Sequence, residues 1–220
     1  MSRAGGLRYE RYRAAGHHEW MMRVGEGDAP ALLFLPPLFE ELNRTRALVA
    51  AAMRALAAEG FQCLLPDLPG TGESERALRD VTWADWRQAV AVAAGAAPLS
   101  ATVALRGGCL LDDAAPAPCR WRLAPVEGAS LVRDLERAGR ASGGGLAGYD
   151  PSEALLAAVR GAGPAEVGVR TVRLASDPAP SDARLEGSPV WRRAEPDAAP
   201  ELAARIAADI ADWVRTCAGC

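Results

Sequence analysis

Short apolar runs closed by proline or glycine alternate along this chain with longer alanine-rich segments whose apolar residues recur every three or four positions. Runs of about five residues are too short to be helices of their own, so they read as strands buried on both faces, joined by crossover helices. The rhythm predicts an α/β chain with a doubly wound, mostly parallel sheet. Residues 31–35 are the first clear buried strand, ended by Pro36 and Pro37. A helix is expected over 44–59, with Leu48, Ala52 and Leu56 on one face and Gly60 as its stop, followed by a strand over 61–65. A second helix over 82–94 has Thr82 as N-cap and Asp85 as capping-box partner. Further strands fall at 101–105, 120–123 and 167–174, with a short helix to about Asp113, one over 128–140 and a last one over 198–216. Residues 1–25 suit an antiparallel edge element, and the glycine-rich stretch 141–151 a flexible loop.

Length and charge narrow the class. A chain of 220 residues fits a single domain, and a net charge of −3 gives no footprint for nucleic acid. All 25 basic residues other than histidine are arginine, which fits a GC-rich bacterial genome. The five cysteines are scattered, and Cys217 and Cys220 have no second pair of ligands, so neither a disulfide framework nor a metal site is expected. No apolar run reaches membrane-spanning length and the arginine-rich start is not a signal peptide, so the expected location is the cytoplasm. No cofactor is expected.

The chemistry concentrates after the strand at 101–105. The run Ala31-Leu-Leu-Phe-Leu-Pro-Pro, a helix, and then Phe61-Gln-Cys-Leu-Leu-Pro-Asp-Leu-Pro-Gly-Thr-Gly-Glu-Ser are similar to the first strands and loops of α/β-hydrolases. In that fold a nucleophile elbow G-x-S-x-G joins a strand to a helix, and crowding demands small residues two before and two after the nucleophile. Ala104 and Gly108 satisfy that demand, which puts Arg106 in the nucleophile position. A guanidinium stays protonated and cannot attack a carbonyl. Asp177 stands where the triad acid would sit, but residues 187–200 contain no histidine. His17 and His18 read as a surface pair on an edge strand, Trp83 and Trp86 as core residues one helical turn apart, and Cys109 as a thiol turned away from the crevice. Ser-His-Asp catalysis is therefore not expected.

The segments Phe34-Leu-Pro-Pro-Leu-Phe-Glu-Glu-Leu-Asn-Arg-Thr-Arg, Leu65-Pro-Asp-Leu-Pro-Gly-Thr-Gly-Glu-Ser, Trp83-Ala-Asp-Trp-Arg and Leu105-Arg-Gly-Gly resemble the second exosortase A system-associated hydrolase family. Trp121-Arg-Leu-Ala-Pro-Val-Glu-Gly and Pro189-Val-Trp-Arg-Arg-Ala-Glu extend the likeness. The resemblance implies an α/β-hydrolase fold with a minimal or absent cap, a bacterium with the PEP-CTERM/exosortase system and its exopolysaccharide, and a neighbouring hydrolase-fold protein as partner.

In such a scaffold the strand ends converge on one crevice. It would collect Glu40, Glu41 and Asn43, then Asp67, Arg106 and Asp177, with Trp191 and Glu195 from the loop before the last helix. Two arrangements of Arg106 are open. It could present an anion site for a carboxylate or phosphate, or it could close on Glu40, Glu41 or Glu195 as an internal ion pair. A third expectation is an active hydrolase or transferase in which Glu40, Glu41 or Asp67 activates water while Arg106 holds an acidic substrate.

Overall fold

The computed structural model describes residues 6–141, 144–166, 168–193 and 195–217. Residues 142, 143, 167, 194 and 218–220, which include parts of the expected flexible loop, the start of the last strand and Cys220, lie outside it, as do residues 1–5.

Among the described residues eight strands form one sheet in the order β1-β2-β4-β3-β5-β6-β7-β8. The strands are β1 (Arg8–Ala14), β2 (His17–Val24), β3 (Ala31–Leu35), β4 (Gln62–Pro66), β5 (Leu99–Leu105), β6 (Cys119–Leu123), β7 (Val169–Leu174) and β8 (Ala183–Leu185). The hairpin β1–β2 joins β4 antiparallel, and every pairing from β4 through β3 to β8 is parallel. The expected edge element is thus a two-stranded hairpin.

The helices are α1 (Glu40–Ala58), α2 (Trp83–Ala94), α3 (Gly128–Ala141), α4 (Glu153–Gly161) and α5 (Pro200–Cys217). Alternation along β3 explains the two layers. Leu32 and Phe34 join the core beneath α1 and α5, with Leu48, Met53, Leu56, Ile206 and Ile210. Leu33 and Leu35 face the opposite core with Trp86 and Val90 of α2, Leu131 and Leu135 of α3, and Leu155 and Val159 of α4. Both faces of the central strands are dry, as a parallel sheet requires.

Local chemistry places the elements. Thr82 accepts from the Asp85 amide while the Asp85 carboxylate accepts from the Thr82 amide, so the expected capping box is complete. Helix α1 starts at Glu40, four residues before the expected start. Pro36 and Pro37 break the strand, and two acids in the first turn favour the helix N-terminus. Two elements had not been expected. Helix α4 is short and capped by Ser152, and β8 has three residues. Between β6 and β7 the described chain makes only α3 and α4. Within the expected flexible loop, Leu146 bridges to Tyr149, and the Tyr149 ring meets Phe39 edge-on at 5.7 Å.

Two polar anchors run through the layers. Arg122 holds Asp112 in a bidentate pair at 2.6 and 2.7 Å, both side chains almost wholly buried, and its remaining arm donates to the Ala165 carbonyl. Asp209 accepts from the Trp121 indole at 2.6 Å and from Arg170 at 2.9 and 2.7 Å, which ties α5 to the sheet.

Candidate functional site

The elbow forms as the small residues predict. Arg106 takes φ 52°, the left-handed backbone of a strand that turns sharply into the following 3-10 turn, Arg106–Leu110. A Cβ on Gly108 would lie 2.2 Å from the Leu35 carbonyl oxygen and 2.5 Å from that of Pro36, so only glycine fits there. Ala104 is fully buried and pairs with Leu35 in the sheet.

The Arg106 guanidinium does not stand open. Its Nε lies 3.2 and 3.1 Å from the two Glu41 oxygens and its Nη2 is 2.8 Å from Oε1, while Nη1 donates to the Ala124 carbonyl at 3.3 Å. The Trp191 ring covers it at 5.2 Å, a cation–π distance. The Arg106 and Glu41 side chains are 12% and 14% exposed. Of the two arrangements left open by the sequence, the structure holds the internal ion pair. Glu41 reaches it because α1 begins early enough to aim its first turn at the elbow.

Around this pair lies a crevice of about 570 Å³. Leu38, Phe39, Leu131 and Leu135 give it apolar walls, and Glu40, Arg44, Arg137 and Arg192 surround them. Arg44 pairs with Glu40 at 3.2 Å and donates to the Trp191 carbonyl, while Arg137 pairs with Asp134 at 3.0 Å. The Arg192 guanidinium has no ion pair or hydrogen bond among the described residues and is exposed. A smaller chamber of about 170 Å³ continues past Arg106, Trp191 and Arg192 to Ser176 and Asp177.

Asp177 is therefore near the elbow, as its place after β7 predicts. Its carboxylate accepts from the Ala179 amide at 3.0 Å and from Arg173 at 2.8 Å. Burial opposes its charge, but these contacts outweigh it and hold the carboxyl below the ordinary range. No histidine lines either chamber. His17 and His18 are exposed on β2 and line a separate cavity with Trp20 and Arg76.

The structure brings Glu40, Glu41, Arg106, Asp177 and Trp191 together, but not the other three expected residues. Asn43 faces outward and donates to the Tyr149 hydroxyl. Glu195 is exposed and lines neither chamber. Asp67 instead lines a groove between α1 and the hairpin. The Tyr12 hydroxyl donates to the Asp67 carbonyl at 2.6 Å and the Trp86 indole to that of Pro69 at 2.8 Å. Sequence reasoning missed Arg44 and Arg192, although both stand within segments that carry the family resemblance. Cys109 is fully buried, and burial pushes its thiol up, so it is no displaced nucleophile. Among the described residues no group of three or more His, Cys, Asp or Glu could hold a metal, and no helix is long and apolar enough to cross a membrane.

No family model matches the sequence, and no curated protein does either. Solved structures match across nearly the whole chain. The esterase Est22 superposes with a TM-score of 0.61 at 11% identity, covering 96% of this chain and 81% of that one. A thioesterase domain from the curacin biosynthetic pathway gives 0.57 at 13% identity, covering 96% and 100%. A protein of Agrobacterium vitis S4 assigned to the hydrolases gives 0.57 at 14% identity, covering 98% and 99%. Likeness at such low identity shows the fold and nothing of the reaction.

Proposed function

We propose that this α/β-hydrolase-fold chain is a non-hydrolytic member of its fold, a binding protein whose elbow crevice receives an anionic ligand. The observation that carries this reading is the Arg106–Glu41 pair. Where a serine would attack, a permanently charged guanidinium is locked on a carboxylate, and no imidazole stands nearby to activate anything. The crevice keeps the shape of a substrate site but has lost the chemistry of one.

Charge supports an anion as the ligand. The carboxylates lining the larger chamber are all engaged by arginines, which leaves Arg192 as surplus cation at the mouth. A ligand reaching Arg106 itself must displace Glu41. The water-activating alternative is less well supported. Glu41 spends both oxygens on Arg106, Glu40 is held by Arg44, and Asp67 lies in a different groove. The resemblance noted from the sequence supports a setting in the exosortase A system, with a neighbouring hydrolase-fold protein as candidate partner.

Two measurements test this. The protein should not react with a fluorophosphonate probe and should not hydrolyse nitrophenyl esters or acyl thioesters, and Arg106→Ser should not change that. Citrate should raise the unfolding temperature more than sodium chloride at equal ionic strength. Turnover of any ester that disappears in Glu41→Gln would overturn the non-hydrolytic reading.

A further inference from the structure

The group that occupies Arg106 has the same chemistry as the ligand proposed for it. The Glu41 carboxylate lies against one edge of the guanidinium, where Nε meets both its oxygens, at 3.2 and 3.1 Å, and Nη2 meets Oε1 at 2.8 Å. The remaining nitrogen, Nη1, donates to the Ala124 carbonyl. An edge that already holds one carboxylate has no room for a second in the same two-point geometry. Both side chains line the elbow crevice and keep 12% and 14% of their surface exposed, so solutes in the crevice reach the contact. Glu41 stands in the first turn of α1, and no side chain caps that end of the helix. A carboxylate released there is not stranded, because the helix N-terminus still favours its charge.

We infer that Glu41 is an intramolecular competitor, an internal carboxylate that keeps Arg106 closed until a carboxylate of the ligand displaces it. This rests on the anion-binding reading above and adds the regulation of that same site. Glu41 is tethered within reach of Arg106, so its local concentration is set by the fold and cannot be diluted away. The elbow is open only for the fraction of molecules in which the pair is broken, and the apparent affinity for an anion falls by that fraction. The coupling is mutual, so a ligand carboxylate on Arg106 frees the first turn of α1 from the elbow. Arg192 borders the same crevice with no ion pair among the described residues, and it offers a second cation to a ligand that carries more than one carboxylate.

Calorimetric titration of citrate against the full chain and its Glu41→Gln variant tests the competition. Glutamine removes the competing charge but leaves Arg106 a neutral acceptor, so the variant should fold, as its unfolding temperature will show. Citrate should bind it about tenfold more tightly, the gain from opening a site that is free about one tenth of the time. That gain must run through Arg106. In an Arg106→Gln background, adding Glu41→Gln should change citrate affinity by about twofold or less, the effect of one charge felt through water. Equal affinity in the parent and Glu41→Gln, with citrate bound by both, would overturn the competitor and leave the anion reading intact. A gain that stays near its full size in the Arg106→Gln background would overturn it too, because it would report a lost repulsion and not an opened arginine. No citrate bound by the parent or by Glu41→Gln would sink this inference and the anion reading together.

Discussion

Removing one partner of the Arg106–Glu41 pair shows whether the elbow is a working latch or a loose surface contact. Fully buried ion pairs lose about 3–5 kcal/mol when one partner is deleted, and exposed pairs contribute about 0.2–1 kcal/mol. This pair lies between those limits, with side chains 12% and 14% exposed at the edge of a crevice that water can enter. In Glu41→Ala the guanidinium keeps the Ala124 carbonyl and the Trp191 face, so the expected cost is about 2 kcal/mol. In Arg106→Gly the same pair is lost together with the Ala124 hydrogen bond and the Trp191 contact, about 1 kcal/mol more, while relief of the left-handed backbone at φ 52° returns about 1 kcal/mol. The net cost of Arg106→Gly should therefore be about 2 kcal/mol, similar to that of Glu41→Ala. The backbone relief is present in both proteins that carry glycine, so it cancels in a double-mutant cycle. Urea unfolding of the parent, both single variants and the double variant should give a coupling of about 1–2 kcal/mol. A coupling below about 0.3 kcal/mol, typical of independent sites, would mean that the pair is not what holds α1 to the elbow.

Three further outcomes follow from the packing. Gly108→Ala should cost about 3 kcal/mol or more, because its Cβ would overlap two backbone carbonyls that cannot move aside; a chemical denaturation midpoint close to the parent's would contradict this. Asp112→Ala should cost about 3–5 kcal/mol by stranding Arg122, clearly more than Glu41→Ala, and the reverse ranking would refute the burial argument. Glu19 on β2 is fully buried, and burial, only partly offset by Ser74, Arg76 and His17, raises its pKa. Ionising it penalises the native state above that raised value, whereas below the unfolded value of about 4.3 the carboxyl is neutral in both states and the penalty vanishes. Glu19→Gln should thus raise the unfolding temperature at pH 7 and lose that advantage by pH 4. An equal gain at both pH values would rule out charge as the cause.

How much of this was legible in the sequence depended on how local the cause was. Ala104 and Gly108 announce the elbow because its motif lies within five residues, although the atoms that crowd Gly108 are the distant Leu35 and Pro36 carbonyls, and Arg106 followed from the frame they set. The capping box of Thr82 and Asp85 is equally local. The Arg106–Glu41 contact spans 65 positions, so the sequence could name Glu41 as one of several acids but could not choose among them. Asp67 was expected in the crevice because strand ends converge there, yet its loop is fastened by Tyr12 of the hairpin and Trp86 of α2, and it lines the groove beside α1. Those contacts come from side chains 55 and 17 residues from the carbonyls they reach, and no motif within the loop records them. Helix α4 and strand β8, at nine and three residues, are too short for their periodicity to stand out from flanking glycine and proline.

The borders of the sheet bear on how this protein behaves when it is concentrated. A sheet border offers unpaired backbone groups to any passing strand, and a flat apolar border seeds aggregation. Here one border is β1, whose exposed positions carry Arg8, Arg11 and Arg13 beside a single aromatic, Tyr9. The other, β8, is only three residues long and has the exposed Arg184 at its centre, its guanidinium turned back onto the Ala179 carbonyl. Like charges meeting across two such borders repel, so stacking of one molecule on another is discouraged on both sides. Replacing the three β1 arginines with threonine would remove that repulsion while improving strand propensity, and it is the change most apt to turn a dispersed protein into one that precipitates.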